Sequence, residues 1–250
     1  MDSRLLVKED DVDSMDFAKR RDLLVDISRR CLTRLSHRAN FRLNPVIYER
    51  GALGEHFEGL SLFEYALIEK ERYYKRIGRY RDDTQYPLTD GKEVGSPFFG
   101  VDQKREIFKP RIEISDFLDF YLDLLHQACE PGENPGRTIF IADLDVDCVD
   151  DINSRIHFGR YIIDQKAKNP EMAELLKDYT PNRREEVLQQ IVIREQERRV
   201  IDSAKQYASD NGMLLSPETI EFFISGLIRR NTQVQLQHLK LVYRVDLGDL

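Results

Sequence analysis

The chain has 250 residues, of which 41% are hydrophobic and 33% charged, and its formal net charge at pH 7 is −7. That length supplies a sizeable core, and an acidic balance without a basic face or tail argues against a nucleic-acid partner. The acidic opening "MDSRLLVKEDDVDSMD" lacks a basic region followed by an apolar run, and no later segment approaches membrane-spanning length, so the chain reads as cytoplasmic with no membrane partner.

Helical periodicity runs through nearly the whole sequence, which predicts an all-α fold organised as a single domain over residues 1–250, with 1–13 as a loosely ordered N-terminal segment. The first helix is expected over about 14–38, where Phe17, Leu24, Ser28 and Cys31 share a face that also takes in Arg21. Helices follow at about 59–80 and 115–129, separated by an irregular stretch from Gly91 to Pro110 that contains "GKEVGSPFFG". After the turn "EPGENPG", the short run "RTIFIA" fits a strand or a buried helical turn equally well. The next helix, about 146–168, buries Val149, Ile152, Ile156, Gly159 and Ile163, yet Arg155 and Lys166 fall on the same face. Eleven residues apart, they return to nearly one azimuth about 16 Å apart along the axis. Gly159 in mid-helix points to a close approach by another helix.

A short helix is expected at about 171–178 and a long one at about 182–210, in which Ile193, Val200, Ile201 and Ala204 form the stripe and Glu197 interrupts it. The last helix, about 217–244, opens on "SPET", with Ser216 as cap and Pro217 in the first position. Its buried face carries Ile220, Ile224, Leu227, Val234 and Val242, and Asn231, Gln235 and His238 break into it.

Polar groups on apolar faces are costly unless paired. Two readings satisfy them: one internal ion network, or a shared anionic ligand, and three inward cations against one carboxylate leave room for a dianion. His157 and His238 have no paired nucleophile and read as satisfied imidazoles, while Cys31, Cys129 and Cys148 read as buried reduced thiols. There is no phosphate loop, no dinucleotide fingerprint, no zinc-binding helix signature and no nucleophile elbow. What remains is a cavity suited to electrostatic stabilisation and conformational restraint.

Three blocks carry a family resemblance: "RDLLVDISRRCLTRLSHRANFRLNPVIYE", "GLSLFEYALIEKERYYKRIGRYRDDTQYP" and, most distinctive, "INSRIHFGRYIIDQK". They resemble the all-α chorismate mutases in their long eukaryotic form, across roughly residues 17–244. The resemblance implies a multi-helix bundle that rearranges chorismate to prephenate within one molecule, in aromatic amino-acid biosynthesis, with no cofactor and no metal, as a homodimer. It implies that Arg21 and Arg155 hold the substrate carboxylates and that Lys166 donates to a carboxylate and the ether oxygen. Gln235 would also donate to the ether oxygen, and Glu197 would accept from the ring hydroxyl. Asn231, counted with these among the substrate-binding residues, stands where the family has a small hydroxyl residue, and Gln235 where some relatives have Glu. Ile193 replaces a common amide or acid and is left out of the site. Where the family carries a Gly-Ser pair, a Thr and two adjacent Arg for an aromatic effector, this chain has Ile139, Phe140, Asp143 and Gly78-Arg79, which argues against tyrosine or tryptophan binding. An isochorismate pyruvate-lyase and an inactive interaction protein of the same fold are the alternatives.

Overall fold

The computed structural model describes residues 17–52, 54, 59–77, 87–89 and 114–248, and among these every regular element is helical. In chain order they are α1 (Phe17–Arg38), α2 (Leu62–Arg76), α3 (Ile114–Ala128), α4 (Thr138–His157), α5 (Gly159–Ala167), α6 (Pro170–Lys177), α7 (Arg184–Ile191), α8 (Arg194–Asp210) and α9 (Pro217–His238). The all-α expectation holds, and "RTIFIA" resolves as the start of α4 rather than a strand. The N-terminal segment 1–13, the stretch from Gly91 to Pro110 and the Gly78-Arg79 pair lie outside the described residues.

Local sequence sets the helix starts. Ser61 accepts from the Glu64 N–H at 3.1 Å while Glu64 accepts from the Ser61 N–H at 2.9 Å, a reciprocal cap that opens α2. At α9, Ser216 accepts from the Thr219 N–H at 3.1 Å and Pro217 fills the first turn, as the "SPET" signal predicts.

α4 is the central element, packed by α1, α2 and α9. On its α1 side, Asp147, Asp151 and Arg155 follow one another at four-residue spacing. Arg30 meets Asp151 at 2.9 Å, Arg34 meets Asp147 at 2.8 Å and also contacts Asp151, and Lys70 from α2 reaches Asp147. Around these ion pairs one apolar cluster joins α1–α4 with α8 and α9, through residues such as Leu35, Phe117, Val149, Phe223 and Leu227. A second cluster joins α5, α6 and α7 to the end of α9 and the following tail, through Ile163, Met172, Val187, Leu239 and Leu247. The polar residues of interest on α4, α5 and α9 stand where these two clusters meet.

Three expected helices are interrupted. The single helix expected over 146–168 is two, α4 and α5, with Phe158 between them. Asn231 of α9 donates to the carbonyls of Arg155 and Ile156, so the break is supported from another helix. Gly159 is required there: a Cβ would stand 2.6 Å from the Asn231 main-chain oxygen. The helix expected over 182–210 is likewise two, because Val192 and Ile193 are extended between α7 and α8. The last helix changes to a wider turn over Leu239–Tyr243, and Val242 is exposed rather than buried.

Candidate active site

Arg155 lies in the last turn of α4 with only 4% of its surface exposed. Its Nε donates to Ser28 Oγ of α1 at 2.7 Å, and that hydroxyl donates in turn to the Leu24 carbonyl at 2.8 Å. Its Nη1 is buried and meets no acceptor among the described residues. The carboxylate one turn earlier, Asp151, is held by Arg30 and Arg34. Burial therefore pulls the Arg155 pKa down to about 10. A guanidinium kept out of water with only a hydroxyl for company is poised to take an anion.

Lys166, in the last turn of α5, donates to the Ile191 carbonyl at 2.8 Å. That carbonyl ends α7, where the extended Val192 and Ile193 begin, so the helix break supplies the acceptor. Burial pulls the ammonium down to a pKa of about 8, opposed by the charge of Glu197, which sits half-buried in the first turn of α8. The structure thus brings Lys166 and Glu197 into one electrostatic neighbourhood.

Asn231 and Gln235 are both buried on α9. Asn231 Nδ2 donates to the Arg155 carbonyl at 3.2 Å and to the Ile156 carbonyl at 2.9 Å, and Gln235 Nε2 donates to Asn231 Oδ1 at 2.9 Å. Gln235 Oε1 is buried with no donor among the described residues. These contacts tie the two amides to the end of α4 that carries Arg155.

The first helix differs from expectation by one position. Arg21 is exposed, and Arg20 is the inward cation, fully buried with Nη1 donating to the Tyr161 carbonyl of α5 at 3.1 Å. With its amide oxygen turned inward, Gln165 accepts from Arg20 Nη2 at 2.9 Å. The buried face of α1 runs through Ile27, Ser28, Cys31, Leu32 and Leu35, and positions 20 and 21 flank its centre line at nearly equal angles, so it is the contact with the Tyr161 carbonyl of α5 that singles out Arg20. Ile193 is half-buried at the start of α8.

Sequence reasoning also missed a polar clamp beside the site. His238 Nε2 meets Asp164 Oδ1 of α5 at 2.8 Å, and Tyr243 donates to the same oxygen at 3.2 Å. Burial works to raise the Asp164 pKa, but these partners hold it below the usual carboxylate range. The spacing of His238 three residues after Gln235 was visible; its acidic partner, 74 positions away, was not. His157 faces the Asn153 carbonyl at 3.0 Å, a satisfied imidazole as expected. The three cysteines are free and buried, and burial drives the thiols of Cys31 and Cys129 up to about 12 and about 11, far from a reactive range.

No group of three or more His, Cys, Asp or Glu side chains among the described residues is placed to hold a metal ion. At the junction of α4 and α9, hydrogen bonds tie Asn231 and Gln235 to the turn that carries Arg155, and a buried guanidinium there, without a carboxylate partner among the described residues, can bind an anion.

Comparison with known proteins bears on the fold. The chain is 24% identical over 212 residues to a chorismate mutase of Emericella nidulans, covering 80% of this chain and 79% of that one. It is 29% identical over 146 residues to the chorismate mutase of Schizosaccharomyces pombe, covering 54% of this chain and 55% of that one. Among solved structures, the Candida albicans chorismate mutase in complex with L-Trp superposes with a TM-score of 0.73 at 21% identity, over 91% of this chain and 97% of that one. The chorismate mutase AtCM1 with tyrosine in its allosteric site gives 0.75 at 16% identity, over 95% and 97% of the two chains. This chain has the fold of the all-helical chorismate mutases. No family model matches it. Among the described residues, no helix is long and apolar enough to cross a membrane.

Proposed function

We propose that the chain is a chorismate mutase, which rearranges chorismate to prephenate. The observation that carries the reading is Arg155: buried, held by a neutral hydroxyl, with an Nη1 that meets no acceptor, in the fold these enzymes share. A salt-bridge network alone would have given this guanidinium a carboxylate, as the same helix does for Arg30 and Arg34.

In the rearrangement the ether C–O bond breaks as a C–C bond forms, with no nucleophile and no proton transfer. Arg155 grips one substrate carboxylate and a cation from the first turn of α1 the other, which fixes the compact conformer that reacts. The family resemblance implies Arg21 for that second cation; the buried Arg20 is the competing candidate, and alanine substitution at each position separates them. Lys166 and Gln235 donate to the ether oxygen as it gains negative charge, and Glu197 takes the ring hydroxyl. Donors matched to charge that appears mainly in the transition state raise the rate rather than tightening ground-state binding.

The active unit is a homodimer in the cytoplasm, with the described helices of each subunit forming one domain: α5 and α9 contribute to both apolar clusters. Ile139 and Phe140, 71% and 47% exposed, present bulky apolar groups at the start of α4 where the family has its Gly-Ser pair, which argues against feedback by tyrosine or tryptophan. The test is to incubate the purified chain with chorismate and, separately, with isochorismate, with and without tyrosine or tryptophan. Prephenate from chorismate, unaffected by either amino acid, is expected. Pyruvate release from isochorismate, or no reaction with either substrate, overturns the reading.

A further inference from the structure

The two amides on α9 do different jobs. Asn231 Nδ2 has two hydrogens, and both are taken by main-chain carbonyls, those of Arg155 and Ile156, at 3.2 and 2.9 Å. Two acceptors on one side leave the amide a single orientation, with Oδ1 turned the other way. Gln235 meets that oxygen with Nε2 at 2.9 Å. Had the Gln235 amide been reversed, its Oε1 would face Oδ1, two acceptors in a buried space, which is strongly unfavourable. The polarity of Gln235 is therefore dictated, through Asn231, by the broken end of α4. The packing leaves no slack: Gly159 sits so close to Asn231 that a Cβ there would stand 2.8 Å from its Nδ2.

We infer that Asn231 is a positioning residue, which holds the Gln235 amide with its nitrogen fixed and its second Nε2 hydrogen left for the substrate, rather than a residue that itself contacts the substrate. The inference rests on the proposed mutase reading for its kinetic consequence, but not for its structural content. It also couples two departures from the family pattern. A hydroxyl residue at 231 can donate to its neighbour, as a glutamate at 235 would require; an asparagine locked onto two carbonyls can only accept, which suits a glutamine.

The experiment uses the full chain, Asn231→Ala and Asn231→Thr; the threonine hydroxyl can still serve one of the two carbonyls, so this variant keeps the buried main chain partly satisfied. First, the side-chain amide of Gln235 is followed by NMR and assigned by its loss in Gln235→Leu. Two well-separated, slowly exchanging amide hydrogens are expected in the native chain, moving toward solvent-like values in both Asn231 variants; an unchanged pair overturns the inference whatever the enzyme does. Second, kinetics are measured with chorismate. The turnover number is expected to fall about tenfold or more in Asn231→Ala, less in Asn231→Thr, with KM within about twofold, because the lost orientation acts on charge in the transition state. A raised KM with native turnover would instead make Asn231 a substrate contact and overturn the inference. If the native chain does not rearrange chorismate, the proposed function fails, and the amide measurement alone decides the role of Asn231. Gln235→Glu adds a readout that general loosening would not move. Its carboxyl, even when protonated, gives its one hydrogen to Asn231, so little activity is expected at any pH. Adding Asn231→Thr to it should restore activity at acidic pH, as the hydroxyl's single hydrogen turns from the main-chain carbonyl to the carboxyl at position 235 and leaves the carboxyl hydrogen for the substrate, and a double variant no better than Gln235→Glu counts against the coupling.

Discussion

Arg38 and Arg155 are both buried arginines in the last turns of helices that pack on one another, and their surroundings differ in kind. Arg38 donates from Nε to Asp145 Oδ1 at 2.6 Å, from Nη1 to the Phe41 and Arg42 carbonyls and Cys129 Sγ, and from Nη2 to the Leu43 carbonyl and Tyr48. Its carboxylate is equally complete, accepting from Tyr48 at 2.6 Å and Tyr121 at 2.8 Å. Burial works against the charge of Arg38, yet Asp145 and its neighbours raise the pKa above the ordinary arginine value. Arg155 has one neutral hydroxyl, and its pKa is pulled down to about 10 by burial. A chain that can satisfy a buried guanidinium this fully at one place, and does not at another, marks the second for something that arrives from outside.

The comparison breaks most sharply if Arg38→Met is benign. Removing one member of a buried pair leaves Asp145 uncompensated, so unfolding free energy should drop by about 3–5 kcal/mol, measured by denaturant titration. Turnover per folded molecule should stay near native, because Arg38 anchors the 39–43 turn and touches nothing at the junction of α4, α5 and α9. Arg155 should behave the opposite way. Arg155→Lys cannot give a planar two-pronged grip, and Lys166→Ala removes a cation from the developing charge; each should cost about 3 kcal/mol or more in kcat/KM, a loss of two to three powers of ten. Melting temperature should fall much less than in Arg38→Met: Arg155 has no counter-charge among the described residues to leave uncompensated, and Lys166→Ala gives up one hydrogen bond to the Ile191 carbonyl. Equal losses of stability in Arg38 and Arg155 variants would erase the distinction.

How much of this was legible in the sequence follows the same division. The all-α fold, the Ser216 start and the close approach at Gly159 rest on periodicity and local chemistry, and they are present. Arg155, Asn231 and Gln235 stood out because each interrupts an apolar stripe, and each is buried. Arg20 was not legible because periodicity sets positions 20 and 21 about equally far from the centre of the buried face, and the carbonyl that draws Arg20 in, that of Tyr161, lies 141 residues away. The breaks at Phe158 and at Val192–Ile193 were invisible for a deeper reason. Neither contains proline, and the groups that stabilise them, Asn231 and Lys166, reach them from other elements. Arg38 was unremarkable in sequence, since its partner lies 107 residues away.

A smaller effect sharpens the comparison through pH. Arg38 keeps its charge, its pKa raised above the ordinary arginine value by Asp145, but Lys166, lowered by burial to about 8 against Glu197, loses its charge as pH rises past neutrality. In the free enzyme kcat/KM should fall as pH rises through about 8, approaching tenfold per unit as the ammonium is lost. Stability moves the other way: the folded pKa lies below the ordinary lysine value, so the cost of burying the charge is full below about 8 and is relieved between there and the ordinary value. A pH profile of kcat/KM beside thermal melting on the same buffers checks both signs. An activity plateau extending past pH 9 would remove Lys166 from the reaction.

The smallest expected effect concerns the hydroxyl that takes the place of a carboxylate beside Arg155. Ser28 Oγ accepts from Arg155 Nε at 2.7 Å and is itself anchored by donating to Leu24 at 2.8 Å, so it fixes the plane of the guanidinium without neutralising it. Ser28→Ala leaves Nε without its acceptor in a buried place, a loss of about 1–2 kcal/mol for a hydrogen bond to a charged group. The methyl group fits the same space, so the fold should persist and the cost should appear in the site. Freed to rotate, Arg155 would meet the substrate carboxylate less often in the productive plane, and KM should rise about five- to tenfold, with a smaller change in the turnover number. The Arg155 pKa should fall further below about 10, since one of the few contacts favouring its charge is gone. Steady-state kinetics near neutrality test the first statement, and the alkaline limb of the KM profile tests the second. A variant with native KM would mean that the guanidinium is oriented by packing alone, and that its single neutral partner is incidental to its function.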